Sequence, residues 1–261
     1  MSTMAAVGDD LAGRRALVSG AGQGVGAAIA AALAAAGATV AVNDISIERA
    51  EAQAAIIREA GGSAFALPFD VTNFAQVTDA IAQHGPFEIL VNNAGNAGVG
   101  SWPGMVPFAQ TSPEDWAPFL SVNLYGVMHC VRAALPGMIA AGWGRVVTII
   151  SDAGRVGEPN MAAYAAAKAG AAGLTRAVSK EVGRHGVTAN IVSLGTMRTP
   201  LTEASWAGDD PPDPARLRGY AIRRPGLPED VASLVAYLTS TGASWITGQT
   251  IPLNGGYSVA Q

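Results

Sequence analysis

Cysteine is nearly missing from this 261-residue chain: Cys130 is the only one. A lone thiol closes no internal disulfide, which fits a reducing cytoplasm, the compartment expected here. Cys130 lies in an apolar helical stretch and reads as a buried structural thiol, not a nucleophile. Histidine is scarce too. His84, His129 and His185 stand far apart without ligand spacing, so no metal site is expected. Charged residues make up only 14% of the chain, the net charge is −4, and no basic run exceeds a pair (Arg14-Arg15, Arg223-Arg224). A nucleic-acid surface needs a basic stripe, so that class is set aside. Long apolar runs are also wanting. Ala27–Ala36 falls short of the roughly 20 residues a bilayer span needs, and no membrane association is expected. Residues 1–8 lack a basic start followed by an apolar run, so residues 1–10 read as a flexible tail.

What is plentiful is apolar side chain, at 49%, and glycine, at 32 residues without a triplet repeat. The pattern alternates strand and helix. Strands are expected at Arg15–Ser19, Thr39–Asn43, Ser63–Phe69, Phe87–Val91, Arg145–Ile150, Val187–Val192 and Gln249–Leu253. Helices are expected at Val25–Ala36, Ile45–Ala60, Asn73–His84, Pro113–Ala141, Ala162–His185 and Pro228–Leu238. Pro113 and Pro228 stand at first helical positions, with Ser112 as an N-cap. The strands are unbroken apolar runs, the mark of a parallel sheet covered on both faces. The fold class predicted is α/β: a three-layer, doubly wound, Rossmann-like sheet of about seven strands, forming one domain over residues 11–261. The stretch 196–226 carries Asp209-Asp210-Pro211-Pro212-Asp213-Pro214 and little periodicity, and reads as a lid near a substrate.

Ser19-Gly20-Ala21-Gly22-Gln23-Gly24-Val25-Gly26 lies between the first strand and the first helix. Glycines there let a pyrophosphate approach backbone N–H groups at the positive end of a helix. Gly20, Gly24 and Gly26 form G-x-x-x-G-x-G, which differs from G-x-G-x-x-G; the strand–turn–helix setting gives it weight. Asp44 ends the second strand. Its carboxylate can accept from both ribose hydroxyls of an adenosine and would repel a 2′-phosphate. No Arg or Lys occupies the turn or the two positions after Asp44, so the cofactor predicted is NAD, not NADP. The competing reading is that Asp44 caps the helix beginning at Ile45.

Tyr164 and Lys168 lie four apart on a predicted helix and share a face. A free phenol, with pKa near 10, is a poor neutral-pH base, and a nearby ammonium favours its phenolate. Such a pair can exchange a proton with an alcohol or carbonyl oxygen, and Ser151, ending the preceding strand, can donate to the same oxygen.

Together with Asn92-Asn93-Ala94-Gly95, Asn123, Asn190 through Thr199, and the ending Ile246-Thr247-Gly248-Gln249 with Asn254-Gly255-Gly256, these motifs resemble the single-domain short-chain dehydrogenases/reductases from about Leu11 to Tyr257. The resemblance implies a catalytic set of Asn123, Ser151, Tyr164 and Lys168. Tyr164 would be the general acid/base, and Lys168 would bind the nicotinamide ribose. Ser151 would polarise the substrate oxygen, and Asn123 would hold a water linking Lys168 to solvent. The implied cofactor contacts are Gly20, Gln23, Gly24, Val25, Gly26, Asp44, Asp70, Val71, Asn93, Ala94, Gly95, Tyr164, Lys168, Met197 and Thr199. Asp70 and Val71 would meet the adenine, and Thr199 the carboxamide or a phosphate.

This chain departs from the family pattern at Ser19 for Thr, Ile150 for Ser, and Leu194-Gly195 for Pro-Gly, the last freeing the backbone before Met197 and Thr199. The function implied is an oxidoreductase interconverting a secondary alcohol and a ketone with NAD(H). The pocket would be walled by Asn96–Trp102, Asp152–Met161 and Met197–Tyr220, with Trp102, Met105, Met161, Met197 and Trp206 suggesting an apolar lining. Ser151 through Gly157 is similar to a segment of members acting on alicyclic hydroxyacyl-CoA thioesters. Arg155 or Arg198 could meet an anion, or serve as an ion-pair partner. The alternatives are a β-ketoacyl thioester reductase and a non-catalytic dinucleotide sensor; an epimerase would want a longer chain. A homotetramer or homodimer, joined through the helices at Pro113–Ala141 and Ala162–His185, is implied as well.

Overall fold

The computed structural model describes residues 10–96, 106–200, 202 and 217–259. Seven parallel strands lie in the order β3-β2-β1-β4-β5-β6-β7. They are β1 Arg15–Val18, β2 Thr39–Val42, β3 Ser63–Ala66, β4 Ile89–Asn92, β5 Gly144–Ser151, β6 Val187–Leu194 and β7 Thr250–Leu253. The α-helices are α1 Gly24–Ala35, α2 Ile47–Glu59, α3 Phe74–His84, α4 Pro113–Leu120, α5 Gly126–Ala141, α6 Ala153–Val156, α7 Ala162–Val182 and α8 Pro228–Thr239. One apolar core lies between the sheet and α1, α2 and α8, through Ile29, Leu33, Ile57 and Val235. The other lies between the opposite face and α3, α5 and α7, through Val77, Val131, Met138 and Val178. Strands buried on both faces explain why their sequences carry no polar alternation.

The sheet reverses direction of growth at β1. The chain builds outward to β3, then returns to place β4 on the other side of β1. The carboxyl ends of β1 and β4 therefore bound a crevice, the usual ligand position of such sheets.

Local chemistry sets the boundaries that differ from the sequence reading. Helix α2 starts at Ile47 because Ser46, not Asp44, is the cap: its Oγ accepts from Arg49 N at 3.2 Å. Strand β3 stops at Ala66 because buried Asn43 draws the following chain inward, donating to Leu67 O at 3.1 Å and Phe69 O at 3.0 Å. The expected single helix 113–141 is interrupted by a π turn at Ser121–Tyr125. Its cause is Asn123, whose amide donates to Phe119 O at 3.0 Å, four residues back, and competes for that carbonyl with the backbone. Residues 113–141 are long and apolar enough to cross a membrane by length and composition alone, a test that core helices also pass. Here Val127, Cys130, Val131 and Met138 bury one face of that helix in the core.

Candidate active site

The crevice at the switch point is a cavity of about 390 Å3. The glycine turn forms its floor. Gly20 and Gly24 have φ of +62° and +58°, where a side chain would be strained. A Cβ on Gly22 would stand 2.6 Å from Asp44 Oδ2, and one on Gly26 would stand 2.3 Å from Gly20 O. Helix α1 begins at Gly24 with no side-chain cap, so its first N–H groups and positive dipole end face the cavity. Ser19 ties the turn to the end of β4, its Oγ accepting from Asn93 N at 3.0 Å and Ala94 N at 3.1 Å. A serine thus supplies the hydroxyl that the family usually takes from threonine. Asn93 returns the tie, donating to Ser19 O at 3.0 Å and Gly20 O at 2.9 Å. Such a cradle of glycines, exposed amides and a helix start fits a pyrophosphate, and so fits a dinucleotide.

Gly20, Gln23, Gly24, Val25, Gly26, Asp44, Asp70, Val71, Asn93, Ala94, Gly95 and Thr199 all line this cavity. Met197 does not. Its backbone bridges to Gly226, and it lines a neighbouring cavity of about 290 Å3. Asn43, which donates to the chain after β3 and accepts from Gly20 N at 3.3 Å, is a lining residue the sequence reading missed.

Arg49 was missed as well. Its Nη2 lies 2.6 Å and its Nε 3.2 Å from Asp44 Oδ1, which also accepts from Ser46 N at 3.0 Å. Asp44 Oδ2 accepts from Gly22 N at 3.2 Å. The buried carboxylate is therefore neutralised on one oxygen, and its free lone pair lies on the other. Arg49 lies beyond the two positions after Asp44, in the first turn of α2.

Ser151, Tyr164, Lys168 and Asn123 meet at the carboxyl end of β5. Tyr164 and Lys168 are buried on one face of α7. Lys168 Nζ donates to Ile149 O at 3.2 Å and lies 5.8 Å from the Tyr164 ring centre. A Cβ on Gly95 would stand 2.8 Å from Asn123 Oδ1 and 3.1 Å from Lys168 Nζ, so Gly95 is the spacer that lets both groups reach one spot. The Asn123 side chain is spent on Asn96, accepting from its N at 3.2 Å and donating to its O at 3.0 Å. Ser151 Oγ accepts from Ala153 N at 3.2 Å, and Ser151 is the side chain that opposes the rise of the Tyr164 pKa.

The electrostatics differ from the sequence reading. Burial raises Tyr164 above the ordinary phenol value, and the hydrogen bond with Ser151 opposes it. Burial also pushes Lys168 down to about 8. The group that favours the Tyr164 phenolate is here Ser151. Arg155 is an ion-pair partner: its Nε lies 3.3 Å from Asp152 Oδ1. Arg198 donates its backbone N–H to Gly226 O at 2.8 Å. Trp102, Met105, Trp206 and the Asp209–Pro214 tip lie outside the described residues. Among those described, no three His, Cys, Asp or Glu residues gather as a metal-ligand set.

A family model described as Enoyl-(Acyl carrier protein) reductase matches residues 20–258. The 3-oxoacyl-(acyl-carrier-protein) reductase of Staphylococcus aureus is 36% identical over 248 residues, covering 93% of this chain and 97% of its own. The gluconate 5-dehydrogenase of Burkholderia cenocepacia, solved with NADP and tartrate, superposes with a TM-score of 0.86 at 33% identity, over 96% of this chain and 97% of that one. A 3-oxoacyl-(acyl-carrier protein) reductase of Brucella melitensis with bound NAD superposes with a TM-score of 0.85 at 28% identity, over 99% and 98%.

Proposed function

This chain belongs to the short-chain dehydrogenase/reductase family and is an oxidoreductase, and from that premise we propose that it interconverts a secondary alcohol and a ketone with NAD(H). The observation that carries the reading is the convergence of Ser151, Tyr164 and Lys168 beside a glycine cradle that fits a dinucleotide. A bound nicotinamide supplies the hydride acceptor or donor. The chain's own part is the proton. In oxidation Tyr164 Oη takes the alcohol proton, Ser151 holds the same oxygen, and Lys168 keeps the ring in place and reaches the nicotinamide ribose. In reduction Tyr164 returns that proton to the carbonyl oxygen.

NAD(H) is the preferred form in this reading, because the lone pair left on Asp44 Oδ2 suits a ribose hydroxyl and its charge opposes a 2′-phosphate. Arg49 tempers that preference. The substrate contacts would come from the loop after β5.

A second reading, a β-ketoacyl thioester reductase, is favoured by the Staphylococcus aureus relative. A non-catalytic sensor has no need of the Ser151, Tyr164 and Lys168 set. We also propose a homotetramer or homodimer in the cytoplasm, supported by Tyr125 and Met128, which leave α5 and the turn before it with exposed apolar surface. Light scattering checks the assembly. A screen following absorbance of the reduced cofactor, with NAD and NADP in parallel, tests the function. It includes cyclic alcohols, sterols, acyl-CoA and acyl-carrier thioesters. Turnover with NADP alone overturns the cofactor assignment, and turnover of 3-oxoacyl thioesters alone selects the second reading.

A further inference from the structure

Asp152, the residue after Ser151, is a buried carboxylate on which two distant parts of the chain, β6 and the segment after β7, converge together with nearby Arg155. Its Oδ1 accepts from Ser193 Oγ of β6 at 2.6 Å and from Arg155 Nε of α6 at 3.3 Å. Its Oδ2 accepts from Asn254 Nδ2 at 2.6 Å and Ser258 Oγ at 2.7 Å, both in the segment after β7. The partners are themselves fastened. Arg155 Nη2 also donates to Ser258 Oγ and O, and Asn254 Nδ2 to Ser258 O at 2.8 Å. In the same segment Tyr257 donates to Glu158 Oε1 at 2.6 Å and stacks on Tyr220. A fully engaged carboxylate of this kind is costly to bury and fixes the chain around it.

That fixed point sits where it governs Ser151. The Asp152 backbone N–H extends the β5–β6 ladder to Leu194 O at 2.8 Å, and its carbonyl accepts from Arg155 N and Val156 N to start α6. The first N–H of α6, that of Ala153, donates to Ser151 Oγ at 3.2 Å. A serine hydroxyl has one proton to give. With a lone pair held by Ala153 N–H, that proton is aimed elsewhere, on the side of the site where Tyr164 is the phenol whose ionisation Ser151 favours.

We propose that Asp152 is a positioning residue for the reaction: by clamping the segment Asn254–Ser258 and Ser193 to the start of α6, it fixes Ala153 N and through it the direction of the Ser151 hydroxyl toward Tyr164. This rests on the reading of Ser151 and Tyr164 as the substrate-oxygen pair. It gives the chain's last described residues a part in the active site, although they touch none of the four catalytic candidates directly. The groups facing the Asp152 carboxylate are Ser193, Arg155, Asn254 and Ser258. The Tyr164 ring meets Lys168 Nζ at 5.8 Å and Phe119 edge-on at 6.1 Å, and Ser151 is the group that favours its phenolate.

The test reads Tyr164 alone, without turnover. Ultraviolet titration of each chain, minus the same chain carrying Tyr164→Phe, gives the ionisation midpoint of this one phenol. Asp152→Asn keeps the shape but removes the charge, and it is expected to raise that midpoint by about half to one pH unit, the worth of one hydrogen bond to the phenolate. Ser151→Ala should raise it at least as far. The double variant should rise no further than Ser151→Ala, because both changes act on one bond. A merely structural Asp152 would lower the melting temperature and leave the midpoint where it was. That result overturns the proposal, as do additive shifts in the double variant. If Asp152→Asn does not fold, Ser258→Ala removes one donor and should move the midpoint the same way by less; no movement there overturns the proposal too. Failure of the dehydrogenase reading shows separately, as no turnover in the cofactor screen, and leaves the titration result standing.

Discussion

Arg49 reaches back from the first turn of α2 to place its Nη2 2.6 Å from Asp44 Oδ1, so the acid expected to choose the cofactor carries its own counter-ion. Asp44 is buried, while the Arg49 side chain is nearly half exposed on the cavity wall. Removing the guanidinium leaves the carboxylate facing the ribose uncompensated, and its repulsion of a 2′-phosphate grows. Arg49→Ala is therefore expected to widen the ratio of NADP to NAD dissociation constants by about tenfold, or ~1.4 kcal/mol. Calorimetric titration with each dinucleotide measures it. An unchanged ratio would mean that the ion pair has no part in the choice.

Tyr164 is buried, and Phe119 packs edge-on to its ring at 6.1 Å. Tyr164→Phe removes one oxygen and keeps that packing. Turnover should fall by about 100- to 10,000-fold, the usual worth of a general acid/base. NADH affinity, read from nicotinamide fluorescence, should stay within about twofold, because the phosphate cradle is elsewhere. Activity near that of the unaltered chain would remove Tyr164 from the role.

Much of this was legible in the sequence, for identifiable reasons. The strands are apolar on both faces, so their runs are unmistakable, and Gly20, Gly22 and Gly26 stand where the turn has no room for a Cβ. The site groups on one helix, Tyr164 and Lys168, are fixed by local periodicity. What stayed hidden is what depends on long-range closure. Arg49 pairs with Asp44 across a helix start, a spacing outside the i,i+4 rule. Asp152 meets partners 41 and 102 residues away. The π turn at Asn123 arises because its amide, also bonded to Asn96, takes the Phe119 carbonyl. The direction of the Tyr164 shift was missed for the same reason, since depth of burial is not written in a four-residue spacing.

Lys168 makes stability depend on pH. Burial pushes it down to about 8, whereas in the unfolded chain it titrates near its ordinary 10.5. Between those values the unfolded chain binds the proton and the folded chain does not, so stability rises with pH through that window. Across it the gain is on the order of 3 kcal/mol. Tyr164 acts the other way above about pH 10, where the folded chain retains a proton that the unfolded chain loses. Urea midpoints should therefore climb from pH 8 to 10. In Lys168→Met that climb should vanish, although the variant forfeits the bond to Ile149 O. Parallel curves for the two chains would show that Lys168 is not the group responsible.

The same substitution should have opposite signs at two glycines. Gly26 lies in the first turn of α1, where a Cβ would stand 2.3 Å from Gly20 O and 2.4 Å from Asn93 Nδ2. Gly20 O is backbone, and Asn93 is held by its bonds to Ser19 O and Gly20 O, so neither can retreat without opening the turn. Gly26→Ala should destabilise by about 1–3 kcal/mol, the usual cost of overpacking, and weaken dinucleotide binding with it. Gly173 lies inside α7, exposed, with nothing within 4 Å of the place an alanine methyl would take. There the methyl meets no neighbour and the helix gains propensity, so Gly173→Ala should stabilise by about 0.5–1 kcal/mol and leave cofactor affinity alone. Denaturant midpoints and NADH titrations on the two variants give both signs. If Gly26→Ala binds the dinucleotide as tightly as the unaltered chain, the turn is not the phosphate cradle, whatever Gly173→Ala does to the melting curve.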